Sequence, residues 1–296
     1  MTQTPETVPV PEAVAKDLSL DLSQLSRVGA RPGFLDYLVQ LWDFRSFIIY
    51  DARARVKSGT RRDKLGSVWL LLNPIFNGAT YFAVFGLLLG TGKGIPNFIG
   101  YLIVGMFLFQ MTSAAITGGA RSIQQNRALV QGFTFPRAAL PLGVNIREAL
   151  VNVPLIIAML LLVLLIPPTE PITWRWLLII PVLILQFIFN LGLGLILARL
   201  IARVNDVAHL LPFVLRAVMY LSAIFYSYER FIDKPVVLNV MQANPVFIII
   251  DISRDSLLYG NTPSLHSWTV LTAWSLAALI IGSIYFWKGE ESYVRG

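Results

Sequence analysis

The chain contains no cysteine and only two histidines, His209 and His266, among its 296 residues. The absence of cysteine excludes disulfides, thiol nucleophiles and thiolate metal sites, and two histidines do not complete a histidine-based metal site. Charged residues are scarce, at 14%, where a soluble domain carries about a quarter. With 55% hydrophobic residues and a mean hydropathy of +0.65, the composition indicates a polytopic membrane protein, for which we predict no metal site.

The chain is basic, with a formal net charge of +7 and a pI near 9.8. Such a charge is also found in nucleic-acid-binding proteins, but here Lys and Arg lie beside the long apolar runs. Membrane topology accounts for basic residues at those positions. We therefore predict contact with membrane lipids and no nucleic-acid partner.

Long apolar runs predict an all-α membrane domain with six transmembrane helices. A bilayer core of about 30 Å requires about 20 apolar residues in a helix. The candidate spans are residues 67–89, 98–117, 149–166, 176–198, 210–226 and 268–287. The third span is started at residue 149 because Arg147 and Glu148 would otherwise enter the membrane, so this pair is predicted at the cytosolic interface.

Lys and Arg are concentrated in alternate connections, which sets the predicted orientation. The segment before the first span carries Arg45, Arg53, Arg55, Lys57, Arg61, Arg62 and Lys64, whereas the next connection carries only Lys93. Both termini are therefore predicted to be cytosolic. Residues 1–33 are rich in Pro, Thr and acidic residues and lack the pattern of a signal peptide, so we expect a flexible cytosolic arm there.

Two segments are too charged to cross the membrane and too apolar for simple loops. Residues 34–57 mix apolar side chains such as Leu38 and Trp42 with charges, which is typical of an amphipathic helix at the cytosolic interface; a basic linker follows to residue 66. A soluble helix packed on its own chain is the alternative. Residues 227–267 contain short apolar stretches between prolines and charges. For them we predict two short re-entrant gate helices on the outer side, surrounded by protein or water.

No motif for catalysis or nucleotide binding is complete. The stretch GTGKG, residues 90–94, resembles part of a phosphate-binding loop, but Leu87 stands where the pattern requires glycine. Gly94 then follows the lysine in place of Ser or Thr. The predicted spans also lack the acidic residues of an ion relay. We therefore predict that the chain is not an enzyme, needs no cofactor of its own and depends on an energy source outside the chain.

Aromatic and charged side chains inside the predicted spans are candidates for a transport path. Arg216 lies about seven residues into the fifth span, roughly 10 Å deep, where it either lines a pore or snorkels to the headgroups. The aromatic residues either pack helices together or line a path, because sugar rings slide over flat apolar faces. Those in the first two spans are Tyr81, Phe82, Phe85, Tyr101, Phe107 and Phe109.

The stretch QQNRALVQGFTFPR, residues 124–137, connects the second and third spans and carries an apolar face. Asn126 can cap a short helix over residues 127–131, and Gly132 can end it. The apolar face and the residues beyond it are Leu129, Val130, Phe133, Phe135 and Arg137. The face either packs back on its own chain or, as we favour, docks a separate subunit, with Arg137 anchoring the chain at the membrane.

Four stretches resemble, in order, the membrane subunit of polysaccharide ABC exporters, the type-2 permeases that export O-antigen, teichoic acid or galactan on a polyprenyl carrier. They are RRDKLGSVWLLLNPIF (61–76), NRALVQGFTFPR (126–137), LPFVLRAVMYLSAIFYS (211–227) and NPVFIIIDISRDSLLYG (244–260). The resemblance runs from about residue 34 to the C-terminus. One departure is Ala223, where family members often have proline after the serine, so the usual cause of a kink in the fifth span is missing.

The resemblance implies a homodimer of six-span subunits in the bacterial plasma (inner) membrane. Each subunit would pair with a cytosolic nucleotide-binding ATPase, two copies in all, and ATP and Mg would be held there. A channel at the dimer interface would pass a lipid-linked polysaccharide, and the Ala- and Val-rich sequence with its acidic arm favours galactan. The membrane domain would cover residues 67–296, with outer gate helices at about 227–267.

The resemblance also assigns residues to three roles. The ATPase-docking residues are Asn126, Arg127, Leu129, Val130, Phe133, Phe135, Arg137 and Trp42. The channel residues are Tyr81, Phe82, Phe85, Phe107, Phe109, Arg216, Phe225 and Tyr226. The outer-gate residues are Asn244, Pro245 and Arg254.

Two other functions are considered. The first is a type-2 permease for a small lipid or drug, and the modest outer segment favours the polysaccharide branch over it. The second is a membrane-embedded transferase for polyprenyl-linked sugars. That enzyme would need acids or histidines clustered at one membrane face, and only scattered candidates such as Asp251, Asp255 and His266 are present.

Overall fold

The computed structural model describes residues 32–59, 68–90, 92, 94–167, 172–228 and 233–295, and these residues form helices without any strand. The α-helices, numbered in chain order, are α1 (Phe34–Asp43), α2 (Arg45–Gly59), α3 (Val68–Tyr81), α4 (Phe98–Gln125), α5 (Arg127–Gly132), α6 (Ala139–Leu165), α7 (Ile179–Arg203), α8 (Val207–Leu221), α9 (Pro235–Ala243), α10 (Pro245–Leu257), α11 (Leu265–Trp287) and α12 (Ser292–Arg295). A π-helix at Phe82–Leu88 continues α3, and a 3-10 helix at Trp174–Leu178 precedes α7. Most of the predicted arm at 1–33 and the end of the predicted basic linker lie outside the described residues.

Four helical stretches among the described residues are long and apolar enough to cross a membrane. They are Phe98–Gln125, Ala139–Leu165, Trp174–Arg203 and Leu265–Trp287. They contain the second, fourth and sixth predicted spans in full and the third except for its last residue, so the prediction of an all-helical, multi-pass membrane protein is confirmed. The regions of the first and fifth predicted spans contain the shorter apolar helices Ile75–Leu88 and Val207–Leu221, and the count of six spans stays a prediction.

Helix α6 extends beyond the third predicted span. It begins at Ala139 and continues through Arg147 and Glu148, whereas the predicted span starts at residue 149. The guanidinium of Arg147 pairs with the carboxylate of Glu148 at 2.6 Å. Pairing with each other is the usual way for charged side chains to be carried at the edge of an apolar layer.

The centre of the bundle is α4, which packs against α6, α7 and α10, while α11 packs along α7. Side chains of α4 such as Val104 and Leu108 are fully buried. Helices α7 and α11 approach closely, since a Cβ atom at Gly192 would overlap the backbone of Ala278. Small residues permit such backbone contact between membrane helices, which explains the glycine in α7.

The bundle has two ends, named here after α5 and α10. At the α5 end, Gln124 near the end of α4 donates to Asn205, just after α7, at 2.7 Å. Arg121 donates there to the carbonyl of Ala208 in α8 at 3.2 Å. At the α10 end, the first turn of α4 contacts α10, because Gly100 lies against the side chain of Leu258. Helix α4 therefore connects the two ends.

Helix α8 is shorter than the fifth predicted span. It ends at Leu221 rather than at residue 226. Ala223, in the turn that follows, has a left-handed backbone with φ of 49°, a conformation that costs an L-residue with a Cβ about 1–2 kcal/mol. The helix is thus interrupted although the proline common in the family is absent.

Helices α9 and α10 are the two short helices predicted between the fifth and sixth spans. Their axes are bent by 86°. Asn244 lies at the bend, where its side chain accepts from the N–H of Val246 at 3.0 Å and donates to the hydroxyl of Ser222 at 2.9 Å. Pro245 occupies the first turn of α10, where its missing N–H costs nothing. Their re-entrant position in a membrane stays a prediction.

Candidate functional site

Helix α5 is the short helix predicted after the second span, and it includes Arg127–Gly132. Asn126 occupies the N-cap position, but its side chain makes no capping hydrogen bond. Its amide nitrogen donates to the carbonyl of Ser122 at 2.7 Å, and its amide oxygen accepts from Arg55 of α2 at 3.2 Å. The predicted side-chain cap is therefore wrong, because Asn126 is engaged in joining α5 to α2 and α4.

Two of the predicted docking residues lie in the interior. Val130 is 1% exposed and Arg137 is 6% exposed, so both pack on their own chain. The guanidinium of Arg137 pairs with the carboxylate of Glu290 at 3.2 Å, and its backbone N–H donates to the same carboxylate oxygen at 3.0 Å. Both side chains therefore pack on their own chain, and their role in docking a partner stays a prediction.

Tyr37 completes this buried network, named here the Arg137–Glu290 anchor. Its hydroxyl donates to Glu290 at 2.9 Å and accepts from the backbone N–H of Ala138 at 2.9 Å. Burial raises the pKa of the Glu290 carboxyl above its usual range, while hydrogen bonds from Arg137 and Tyr37 hold that pKa down. Burial also raises the pKa of the Tyr37 hydroxyl, which keeps it protonated as a donor. Neither Tyr37 nor Glu290 was identified from the sequence, although an acid directly after an apolar span is a visible signal.

Five other predicted docking residues are exposed or half-buried. Phe133 and Trp42 are each 67% exposed, and Arg127 is also exposed. Leu129 and Phe135 are half-buried, and the ring of Phe135 stacks on Phe44 with 6.5 Å between centroids. A cleft of about 330 Å³ runs between α1 and this segment, and it is lined by Gln40, Asp43, Phe44, Phe135 and Glu290 among others. We group these five residues, Trp42, Arg127, Leu129, Phe133 and Phe135, under the name α5 face.

At the opposite end, Arg254 of α10 is buried, at 2% exposure. Its guanidinium donates to the carbonyls of Tyr101 at 3.0 Å, Ala223 at 3.0 Å and Ile224 at 3.4 Å. The guanidinium carbon also lies 3.2 Å from the centroid of the Tyr101 ring. Within the described part of the chain, Arg254 forms no salt bridge to a carboxylate. Backbone carbonyls and a π-face therefore stabilise this buried charge.

Tyr101 of α4 contacts the same turn. Its hydroxyl lies 2.7 Å from the carbonyl oxygens of both Ala223 and Tyr226, which share its hydrogen. The interruption of α8 is thus stabilised by α4 and α10 together, and we name Tyr101, Ala223 and Arg254 the carbonyl clamp. The sequence placed Arg254 at the outer gate and Tyr101 among the aromatics, but it carried no signal that both contact the turn after α8.

The predicted channel aromatics do not share one environment. Phe107, Phe109 and Phe225 are buried in the core of the single chain, where they pack helices together, and their path-lining role stays a prediction. Tyr81 and Phe85 cover Phe225, with ring centroids 4.9 Å and 4.5 Å from it.

Two further predicted channel aromatics are half-buried. The ring centroid of Phe82 lies 6.4 Å from that of Phe98. The hydroxyl of Tyr226 donates to the carbonyl of Tyr220 at 2.6 Å. Both residues therefore contact their own chain and keep part of their surface accessible.

Arg216 lies in α8 and is exposed. Large apolar side chains of the same helix are exposed as well, namely Leu210, Phe213, Val214 and Tyr220. We name this surface the α8 face. If α8 lies in the membrane, as the fifth predicted span implies, Arg216 requires water, a partner or a route to the headgroups.

Comparison with known proteins agrees with this architecture. Residues 52–258, more than two thirds of the chain, match the model of the ABC-2 type transporter family. Among curated relatives, the O-antigen export system permease protein RfbA of Myxococcus xanthus is 25% identical, with 86% of this chain and 97% of the relative covered. A protein of the same name from Klebsiella pneumoniae is 26% identical, with coverages of 71% and 78%.

A third relative is the polysialic acid transport protein KpsM of Escherichia coli, which is 22% identical, with coverages of 77% and 88%. All three relatives are named as transport or permease proteins, which agrees with the prediction that this chain is not an enzyme. The family match and the membrane helices lead to the same conclusion: the chain belongs to the ABC-2 type transporter family and is a transporter's membrane subunit.

Proposed function

We propose that two copies of this subunit form a channel that exports a polyprenyl-linked polysaccharide across the bacterial inner membrane. Two copies of a separate ATPase, which hold ATP and Mg, drive the transport from the cytosolic side. Galactan is the favoured polymer. Both termini lie in the cytosol, so the α5 end is the cytosolic end and the α10 end is the outer end.

The observation that carries this proposal is Arg216 on the α8 face. The residue lies nine positions after the first residue of α8, about 13 Å along the helix, among exposed apolar side chains. Exposure of an arginine to lipid at that depth is costly, and intramembrane charges usually face a bundle interior or a water-filled cavity. A second subunit facing α8 across a hydrated channel removes this cost.

The substrate class rests on the relatives and on the channel surface. Two relatives are named O-antigen export permeases and another a polysialic acid transport protein, and each of these substrates is a polysaccharide. The aromatic side chains that keep partial exposure, Tyr81, Phe82, Phe85 and Tyr226, offer flat faces for sugar rings. The polyprenyl carrier and galactan follow from the family resemblance and the composition.

Docking of the ATPase is assigned to the α5 face, with Phe133 as its central contact. Phe133 is the apolar residue of the segment after α5 that is most exposed. Arg137, four residues after Phe133, is held by Glu290, which fixes the position of this segment, so a push from the ATPase is transmitted to α6. The outer gate is assigned to Asn244, Pro245 and Arg254, at and after the bend between α9 and α10.

The test of the function is ATP hydrolysis by the reconstituted transporter. The subunit is purified with a nucleotide-binding ATPase from the same organism and placed in proteoliposomes. Hydrolysis is then measured with polyprenyl-linked galactan, another polyprenyl-linked glycan or a short-chain phospholipid. We expect galactan to give the largest stimulation. Stimulation by the phospholipid alone would instead indicate the small-lipid permease.

The dimer is tested separately by cross-linking. Because the chain has no cysteine, Phe213→Cys on the α8 face introduces a single thiol. We expect it to form a disulfide-linked dimer in membranes. The matched control is Leu161→Cys on α6, which is also exposed but lies outside the α8 face. Equal cross-linking of the two variants would contradict a dimer across α8.

A further inference from the structure

Helices α6 and α7 carry four buried amide side chains to which the proposed function assigns no role. They are Asn145 and Asn152 on α6 and Gln186 and Asn190 on α7, and each is at most 7% exposed. A spacing of seven residues on α6 and of four on α7 places each pair on one face of its helix. All four line a cavity of about 80 Å³ between the two helices.

Two amide oxygens of these side chains have no hydrogen-bond partner in the described part of the chain. They are Oε1 of Gln186 and Oδ1 of Asn190. The orientation of the Gln186 amide is fixed, because its nitrogen donates to the carbonyl of Leu108 at 2.9 Å and to the hydroxyl of Thr112 at 2.7 Å. Its oxygen is therefore left as an acceptor without a donor. Buried polar atoms are nearly always paired, and each exception requires an explanation.

The charge around the cavity indicates what kind of donor would fit. Glu148 also lines the cavity, but its carboxylate is bound by the Arg147 guanidinium at 2.6 Å. The pair has no net charge, and the amides are neutral. A bound cation would therefore lack a counter-charge, whereas a neutral O–H group would supply the missing hydrogen for each acceptor oxygen.

The size of the cavity and its surroundings agree with a hydroxyl group. Water occupies about 30 Å³ in the liquid, so the cavity accommodates a small number of water molecules or one hydroxyl-bearing headgroup. Ala149, another lining residue, is exposed, which places the cavity next to the outer surface of α6. A group can therefore enter from the water or lipid around the subunit.

We propose that the cavity lined by Asn145, Asn152, Gln186 and Asn190 is a binding site for neutral hydroxyl groups, which donate to the oxygens of Gln186 and Asn190. The hydroxyl comes either from water or from the glycerol headgroup of a phospholipid. This site lies within one subunit, separate from the α8 face, and it does not depend on the substrate that the transporter carries.

The absence of cysteine allows a direct test with single thiols. The full-length subunit carrying Asn152→Cys is placed in nanodiscs of phosphatidylcholine alone, and its labelling by the small neutral reagent 2-hydroxyethyl methanethiosulfonate is timed. The control is Met159→Cys, which lies seven residues further along α6 and is fully buried in the apolar core. We expect labelling at least ten-fold faster at position 152, because the thiol ionises and reacts only where water reaches it.

A second variant and a second lipid complete the test. Asn190→Cys must also label faster than the control, and thermal unfolding shows that each variant is folded. Nanodiscs containing phosphatidylglycerol, whose headgroup has free hydroxyls, distinguish the sources. Slower labelling there identifies the lipid hydroxyl, and unchanged labelling identifies water. Labelling of both folded variants no faster than Met159→Cys in either lipid would overturn the site.

Discussion

The two ends of the bundle each contain a buried arginine, but the two arginines are stabilised differently. At the α5 end, Arg137 pairs with the carboxylate of Glu290, and both charges lie on side chains. At the α10 end, Arg254 bonds to carbonyls of Tyr101, Ala223 and Ile224. Side-chain pairing survives small backbone changes, whereas the carbonyls after α8 are available only while that helix is interrupted. The Arg137–Glu290 anchor is therefore suited to a fixed junction, and the carbonyl clamp to a part whose conformation changes.

The largest effect on stability is expected for Arg137→Met. The substitution leaves the carboxylate of Glu290 buried without its cation, which costs about 3–5 kcal/mol. Unfolding in mixed micelles measures this loss. Adding Glu290→Gln removes the stranded charge and should recover part of it. A loss below about 1 kcal/mol for Arg137→Met would contradict the anchor.

Arg254→Met is expected to cost less, about 2–3 kcal/mol, because it leaves carbonyls rather than a charge without partners. The same unfolding measurement applies, with Arg175→Met at a partly exposed arginine as the control. No single neutral substitution restores the loss, since the acceptors belong to the backbone. If Arg254→Met proved more costly than Arg137→Met, the ranking of the two ends would be reversed.

Ala223→Gly is expected to raise stability by about 1 kcal/mol, because glycine adopts a positive φ without a Cβ penalty. Ala223→Pro should destabilise the protein, since proline fixes φ near −65°. The matched control is Ala217→Gly inside α8, where glycine should instead lower stability by about 1 kcal/mol. Thermal unfolding of the three variants gives the comparison, and opposite signs at 223 and 217 are the required outcome.

Phe133→Asp is expected to change stability by no more than about 0.5 kcal/mol, because the side chain is largely exposed. Its effect should be on coupling: export in proteoliposomes falls while the subunit stays folded and inserted. The control is Thr134→Asp, which adds the same charge at an exposed neighbouring residue. Full export by Phe133→Asp would remove the docking role from the α5 face while leaving the anchor behind it intact.

Local features of the fold could be predicted from the sequence, whereas long-range contacts could not. The short helix at Arg127–Gly132 and the helices α9 and α10 follow from apolar pattern, glycine and proline, which act within a few residues. The exposure of the predicted docking residues does not follow from such patterns. Val130 and Phe133 belong to the same apolar face in sequence, yet the first is buried and the second exposed, because α1 and the tail after α11 cover only one side of α5.

The sequence alone determined the membrane class and the positions of four long spans, because composition and the length of apolar runs are local properties. It also indicated the transporter family, because four stretches resemble that family in the same order. The tertiary structure decided which side chains meet. Glu290 reaches Arg137 over 153 residues of sequence, and Arg254 reaches Tyr101 over the same separation. Contacts between such distant residues depend on how α4, α6, α7 and α11 pack together. No pattern along a single helix shows that one buried arginine pairs with a carboxylate and the other bonds only to carbonyls.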